Sequence, residues 1–267
     1  MQYRIFDPTG NITALVEDQV NVELQPQVAA KIMELQPEVE QVGFVSAPDC
    51  ANADVKLRMA GGEFCGNATM STAALYALNN NCKGHIEVVV QASGATNPLS
   101  VILDKTGSRS FDAGVHMPPA LAITTRMFEH DGHSDQLGIV IFEGISHVIV
   151  DSSSTLFYLQ HTPIAAQEAV RTWCARLKTN GLGLMFINAE HDASNPELTP
   201  LVYVPGSNTV YWENSCASGS AAVGMYVAHT QGIPCELCLH EPGGVLRVCS
   251  DPSSNDTWLY GNVVKRS

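Results

Sequence analysis

Apolar and polar residues alternate in short runs along most of this chain, and turn residues separate the runs at close intervals. Period-two alternation predicts strands at residues 2–6, 12–16, 42–45, 55–59, 86–91, 100–104 and 111–116. A second set is predicted at 137–142, 147–150, 184–188, 201–204, 235–240, 246–249 and 258–264. Pro8-Thr9-Gly10-Asn11, Ser93-Gly94, Pro205-Gly206 and Pro242-Gly243-Gly244 punctuate them as turns. Helical spacing is confined to residues 26–35, 69–78, 164–177 and 218–230. The order of strands, helix, strands, helix and more strands therefore occurs twice, which predicts an α+β fold of two similar halves. The Pro118-Pro119 pair marks the boundary, with one domain over residues 1–118 and another over 119–256.

The second and fourth helical segments are rich in alanine and carry small residues on several faces. Such a helix belongs inside a sheet or barrel rather than on a surface. Each is introduced by a similar device: GGEFCGNATMS over residues 61–71 and ENSCASGSAAVG over 213–224. Cys65 and Cys216 each stand directly before small residues that open the helix. The first amides of a helix have no internal partner and carry the positive end of its dipole. A thiolate is favoured there, its pKa falling from about 8.5 into roughly 3.5–7.5. The same amides, of Gly66 and Asn67 in one loop and Ala217 and Ser218 in the other, suit an amino-acid carboxylate. A lone Cys-Gly-Asn is as readily an ordinary turn. Its duplication points to an acid/base group on each side of one substrate, as inversion of a carbon centre without a cofactor requires.

Composition narrows the partners. A net charge of −13 argues against nucleic acid and anionic membrane surfaces, leaving small zwitterionic or neutral ligands. No apolar run reaches the ~18–20 residues of a membrane span, and the N-terminal segment lacks the apolar core of a signal peptide. The expectation is a cytoplasmic protein whose eight irregularly spaced cysteines are reduced thiols. Cys235 and Cys238, with His240 close by, invite a metal reading. Strand alternation sends those two cysteines to opposite faces, so no metal site is expected.

At the cysteine loops the chain resembles the diaminopimelate epimerase superfamily of pyridoxal-independent racemases. Asn11 after the first strand, Cys65-Gly66-Asn67, His147 in GISHVIV and the second cysteine loop carry the likeness. It implies two pseudo-symmetric domains, each a β-barrel-like sheet around a central helix, with substrate between them. It also implies that the last strand, about 257–267, returns to the first domain, and that the protein is a homodimer. Ser207-Asn208 replaces the Glu-Arg pair of diaminopimelate epimerase, Gly144-Ile145-Ser146-His147 replaces Gly-Asn-Pro-His, and Gly183 falls near a missing distal asparagine. Unpaired distal groups cost too much for diaminopimelate to be the substrate.

The segments DPTGN, EQVGF, GEFCGNATMS, WENSC and HEPGG are similar to those of the histidine racemases in staphylopine-type metallophore pathways. That likeness implies two-base interconversion of L- and D-histidine by Cys65 and Cys216, without a cofactor, feeding an opine-type chelator. A racemase of other neutral amino acids remains an alternative, as does a non-catalytic amino-acid-binding or thiol-sensing protein. Asn11 reads as a substrate ligand or as the closure of its turn. Glu40 is a ligand for the ammonium or imidazole, or a surface charge. Glu63 and Glu213 contact substrate or order their loops. His147 is a site residue or a satisfied core histidine. Phe44 and Trp212 stack on an aromatic substrate or simply fill the core.

Overall fold

The computed structural model describes residues 1–189, 192–206 and 208–266. In chain order the elements are β1 (Tyr3–Pro8), β2 (Thr13–Val16), α1 (Gln25–Leu35), β3 (Gln41–Ser46), β4 (Val55–Met59), α2 (Gly66–Asn79), β5 (His85–Ala92), β6 (Leu99–Lys105) and β7 (Ser110–His116). There follow β8 (Ala122–His130), β9 (His133–Ile141), β10 (Ser146–Asp151), α3 (Pro163–Leu177), β11 (Leu182–Asn188), β12 (Glu197–Val204) and β13 (Thr209–Trp212). The chain ends with α4 (Ala217–Gln231), β14 (Cys235–Glu241), β15 (Gly244–Asp251) and β16 (Asp256–Lys265). Two compact units divide it: Met1–Pro118 with Trp258–Ser267, and Pro119–Thr257.

In the first unit β1 to β7 follow one another in the sheet, and β16 pairs antiparallel with both β7 and β1. Eight strands thus close on themselves, so every strand has two neighbours and no hydrogen-bonding edge is left open. The pairings β2–β3 and β4–β5 are parallel, and each needs a crossover. α1 supplies the first and α2 the second. α2 packs against β1, β2 and β4 to β7, and its residues from Gly66 to Leu75 are all buried. Ala68, Ala73, Ala74 and Ala77 keep that helix thin enough for Phe6, Leu57, Val88, Val101 and Phe111 to surround it. α1 instead covers the outside, where Ala29 and Ile32 pack with Ile12, Ala14, Val16 and Phe44. β2 is consequently buried on both faces, which explains the consecutive Ala14, Leu15 and Val16.

The second unit repeats this plan. β9–β10 is antiparallel, β10–β11 is parallel across α3, β11–β12 is antiparallel, and β12–β14 is parallel across α4. α4 packs on β8 to β11 and on β14 and β15, with every residue from Ala217 to Met225 buried. α3 lies on the other face, where Trp173, Val170 and Ala166 meet Val148, Val150, Leu184 and Phe186. The expected architecture, two similar β-wrapped central helices, is the one observed.

Two strands escaped the alternation pattern. β8 exposes nearly all of its side chains and buries only Phe128, so it shows no amphipathic period. It forms a hairpin with β9 through Asp131 (φ 48°) and Gly132 (φ 79°), which also draws the polar residues His133 to Gln136 into β9. β13 buries none of its four side chains fully and attaches only to β12.

Candidate active site

Cys65 is the N-cap of α2, in extended geometry (φ −138°, ψ 111°). Its carbonyl accepts the Thr69 amide at 3.0 Å, the first bond of the helix. Its sulfur accepts the Ala68 amide at 3.4 Å, filling the role usually taken by a serine or aspartate oxygen. The thiol donates to Gln41 Oε1 at 3.1 Å. Gln41 Nε2 in turn donates to Thr13 Oγ1 at 2.8 Å and to Asn11 Oδ1, and Asn11 Nδ2 donates to Glu40 Oε2 at 3.1 Å. Four side chains, Glu40, Asn11, Gln41 and Cys65, thereby form one hydrogen-bonded line. The parallel register that sets Thr13 opposite Gln41 is what assembles it. Gly66 and Asn67 occupy the first two helical positions, both buried.

The loop leading to Cys65 is held from below. Ser93 Oγ donates to the Glu63 carbonyl at 2.7 Å and accepts the Met59 amide at 2.9 Å. Gly94 (φ 71°) lies so close that any Cβ there would overlap the Phe64 backbone. Burial pushes the Glu63 carboxyl above the usual range. The backbone amides of Glu63 and Gly61 work the other way.

Cys216 caps α4 in similar geometry (φ −133°, ψ 98°), and its carbonyl accepts the Ser220 amide at 2.8 Å. Its sulfur lies 3.7 Å from Ser218 Oγ, which lies 3.0 Å from His147 Nε2 on β10. His147 is fully buried, and burial pushes its pKa down to about 3, so the ring is neutral. Its Nδ1 has no hydrogen-bond partner among the described residues. Ala217 and Ser218 take the first two helical positions, and Glu213 precedes the loop with its amide on the Pro200 carbonyl at 3.0 Å.

Burial, and then the charges of Glu213 and Glu241, raise the Cys216 thiol well above its ordinary value, while the Gly219 amide works the other way. The sequence expectation that each helix start favours a thiolate therefore fails at Cys216. Desolvation and two carboxyl neighbours outweigh the helix terminus.

The structure thus gathers Asn11, Glu40, Cys65, Gly66 and Asn67 in one unit, and His147, Glu213, Cys216, Ala217 and Ser218 in the other. Ser207 lies outside the described residues. Phe44 belongs to the core under α1, and Trp212 stacks on Phe186 with ring centroids 5.7 Å apart. Cys235 faces α4 and donates to the Gly224 carbonyl at 3.2 Å. No cluster of three metal-ligating side chains occurs among the described residues, nor any helix long and apolar enough to cross a membrane. Three participants were not singled out in the sequence: Gln41, Ser220 and Glu241. The available signal for Glu241 was a carboxylate at an inward position of an alternating strand.

Known proteins bear on this arrangement. A histidine racemase of Staphylococcus aureus is 28% identical over 253 residues, covering 94% of this chain and 88% of its own length. A histidine racemase of Fusobacterium nucleatum is 31% identical over 225 residues, covering 83% and 78%. The crystal structure of a hydroxyproline epimerase from Agrobacterium vitis, with bound trans-4-hydroxy-L-proline, superposes with a TM-score of 0.67 at 12% identity, covering all of this chain and 91% of that one. At that identity the likeness establishes the fold alone. The family described as the histidine racemase CntK N-terminal domain matches residues 1–259. The chain belongs to the histidine racemase family.

Proposed function

We propose that this protein is a pyridoxal-independent isomerase that interconverts L- and D-histidine with two thiols, one from each unit. The observation that carries this reading is the pair of buried helices, α2 and α4, each N-capped by a cysteine at the same step of a repeated topology. Family membership supplies histidine as the substrate. Cys65, as thiolate, removes the α-proton from one face, and Cys216, as thiol, delivers a proton to the other. The raised Cys216 thiol suits it to hold the proton at rest. Amides of Gly66, Asn67, Ala217 and Ser218 bind the carboxylate, where negative charge grows as the proton leaves. Asn11, Glu40, Glu213 and the neutral ring of His147 line the site and orient substrate. In the reverse direction the thiols exchange roles.

The product D-histidine enters an opine-type metallophore, and the enzyme works as a cytoplasmic homodimer. The test is reduced protein incubated with L-histidine in D2O, read by chiral chromatography and mass spectrometry. D-Histidine carrying deuterium at Cα is expected, and Cys65→Ser and Cys216→Ser should each abolish its formation. Inversion with protium retained at Cα, or undiminished turnover by either variant, overturns the two-thiol assignment.

A further inference from the structure

β14 alternates cleanly. Leu237, Leu239 and Glu241 are buried, while Glu236 and His240 are exposed. The pattern places a carboxyl inside the second unit, where Glu241 is only 7% exposed. Both of its oxygens are committed at the start of α4. Oε2 accepts the backbone amide of Cys216 at 2.7 Å, and Oε1 accepts the Ser220 hydroxyl. One side chain therefore spans the first turn of the helix and fixes the backbone of the residue that carries the thiol. The turn after β14 fastens the same segment, since the Gly243 amide donates to the Asn214 carbonyl at 2.7 Å.

The two hydrogen bonds favour the ionised carboxyl, but burial outweighs them. Glu213, from the segment entering α4, is the charged group that acts on it, and both carboxyls act on the Cys216 thiol, Glu213 first and by a hydrogen bond as well. α4 offers only the Ser220 hydroxyl, and β15 faces it with Gly244. On the far side of Cys216 stands the neutral ring of His147, reached through Ser218. Among the described residues, no cation is found among the groups that act on Glu241 or Cys216. A buried carboxylate bonded to the amide of the residue that carries a thiolate repels that thiolate, so the two titrations are coupled.

We infer that Glu241 is a positioning residue for Cys216 and that the two share one buried negative charge: a protonated Glu241 permits the thiolate at Cys216, and an ionised Glu241 holds Cys216 as the thiol. The inference rests on the reading of Cys216 as a catalytic thiol. No proton passes from Glu241 to the substrate. Its protonation state sets which form of Cys216 is available, while its two hydrogen bonds keep the thiol in place. Burial lifts the Glu241 carboxyl to about 8, so its ionisation falls within the range of a pH–rate profile.

The consequence is a loss of activity on the alkaline side. Once Glu241 ionises, Cys216 cannot readily complete the cycle as a base. The equilibrium constant between enantiomers fixes the ratio of the two kcat/KM values, so the fall appears in both directions. Glu241→Gln keeps the shape and one acceptor oxygen but removes the charge. In this variant the alkaline fall in kcat/KM near pH 8 should disappear, with KM little changed.

In protein labelled with 13C,15N-cysteine, the Cβ resonance of Cys216 should titrate at least one pH unit lower in Glu241→Gln than in the parent. Superimposable pH–rate profiles together with an unmoved Cys216 titration overturn the inference. Should Glu241→Gln fail to fold, the parent protein still decides it. The Cys216 amide proton, bonded to the carboxyl, should shift with a midpoint near pH 8, and a midpoint in the ordinary carboxylate range overturns the inference. Loss of racemisation in Cys216→Ser with no effect of Glu241→Gln would keep the two-thiol reading and remove only this latch.

Discussion

The Cys65 thiol donates its hydrogen bond to Gln41. Gln41 presents its carbonyl oxygen to the sulfur because its amide nitrogen is held by Asn11 and Thr13. Replacing the amide by a carboxylate, in Gln41→Glu, sets a negative charge against the position where the thiolate must form. The acid limb of kcat/KM should move up by about one pH unit or more, equivalent to about 1.4 kcal/mol, and kcat should fall more than KM changes. A pH–rate profile superimposable on the parent's would show that Gln41 does not govern the thiol. The cysteines themselves were legible in the sequence, because a thiol before small residues and an alanine-rich helix recurs in both halves. Gln41 was not. It is an uncharged side chain beside a more conspicuous Glu40, and its role exists only once β2 and β3 pair in parallel register. The raised Cys216 thiol was hidden for a related reason, since Glu241 lies 25 residues further along the chain and meets the thiol's backbone only through the fold.

The two buried helices must start at fixed places, and their packing leaves little tolerance. Gly219 stands in the first turn of α4, where an added Cβ would overlap the Met185 sulfur of β11 and lie 3.2 Å from Cys216 Sγ. Gly219→Ala is therefore expected to destabilise the protein by about 1–3 kcal/mol, the usual cost of overpacking a tight core. It should also lower kcat by shifting the thiol. Urea unfolding checks the first effect, and Gly219→Ala combined with Met185→Ala should recover part of the stability by removing the atom in the way. A single variant with the parent's midpoint and activity would mean that β11 yields freely at this point. The position of both helices could be read from alanine-rich periodicity, because a helix surrounded by strands needs small residues on every side. The short β13 and the exposed β8 could not, since neither buries a face that leaves a period in the sequence. β8 is specified by its hairpin with β9, which local alternation does not record.

At the scale of the whole molecule, His147 and Glu241 are buried groups that titrate abnormally and shift stability with pH in opposite senses. His147 is held neutral, with its pKa lowered from 6.5 to about 3, so the unfolded chain binds the extra proton between those values. Stability from this group is complete above 6.5 and is lost as pH falls toward 3. Glu241 is raised from 4.5 to about 8, so here the folded protein holds the extra proton. Its contribution is complete below 4.5 and is lost as pH rises toward 8. Glu63, raised by burial as well, acts in the same sense as Glu241. Where the windows of His147 and Glu241 overlap, from 4.5 to 6.5, their slopes are equal and opposite and cancel. Beyond the overlap one group acts without the other. Each accounts for about 1.4 kcal/mol per pH unit, or about 2 kcal/mol between pH 6.5 and 8 for Glu241 and about 2 kcal/mol between pH 4.5 and 3 for His147. Urea unfolding across pH 3–8.5, taken as the difference between the parent and Glu241→Gln, should show that alkaline slope. The difference between the parent and His147→Gln should show the acid one. A difference that stays flat from pH 6.5 to 8 would mean that Glu241 is already ionised in the folded protein at neutral pH. Cys216 would then be held as the thiol throughout the range in which the enzyme is asked to turn over.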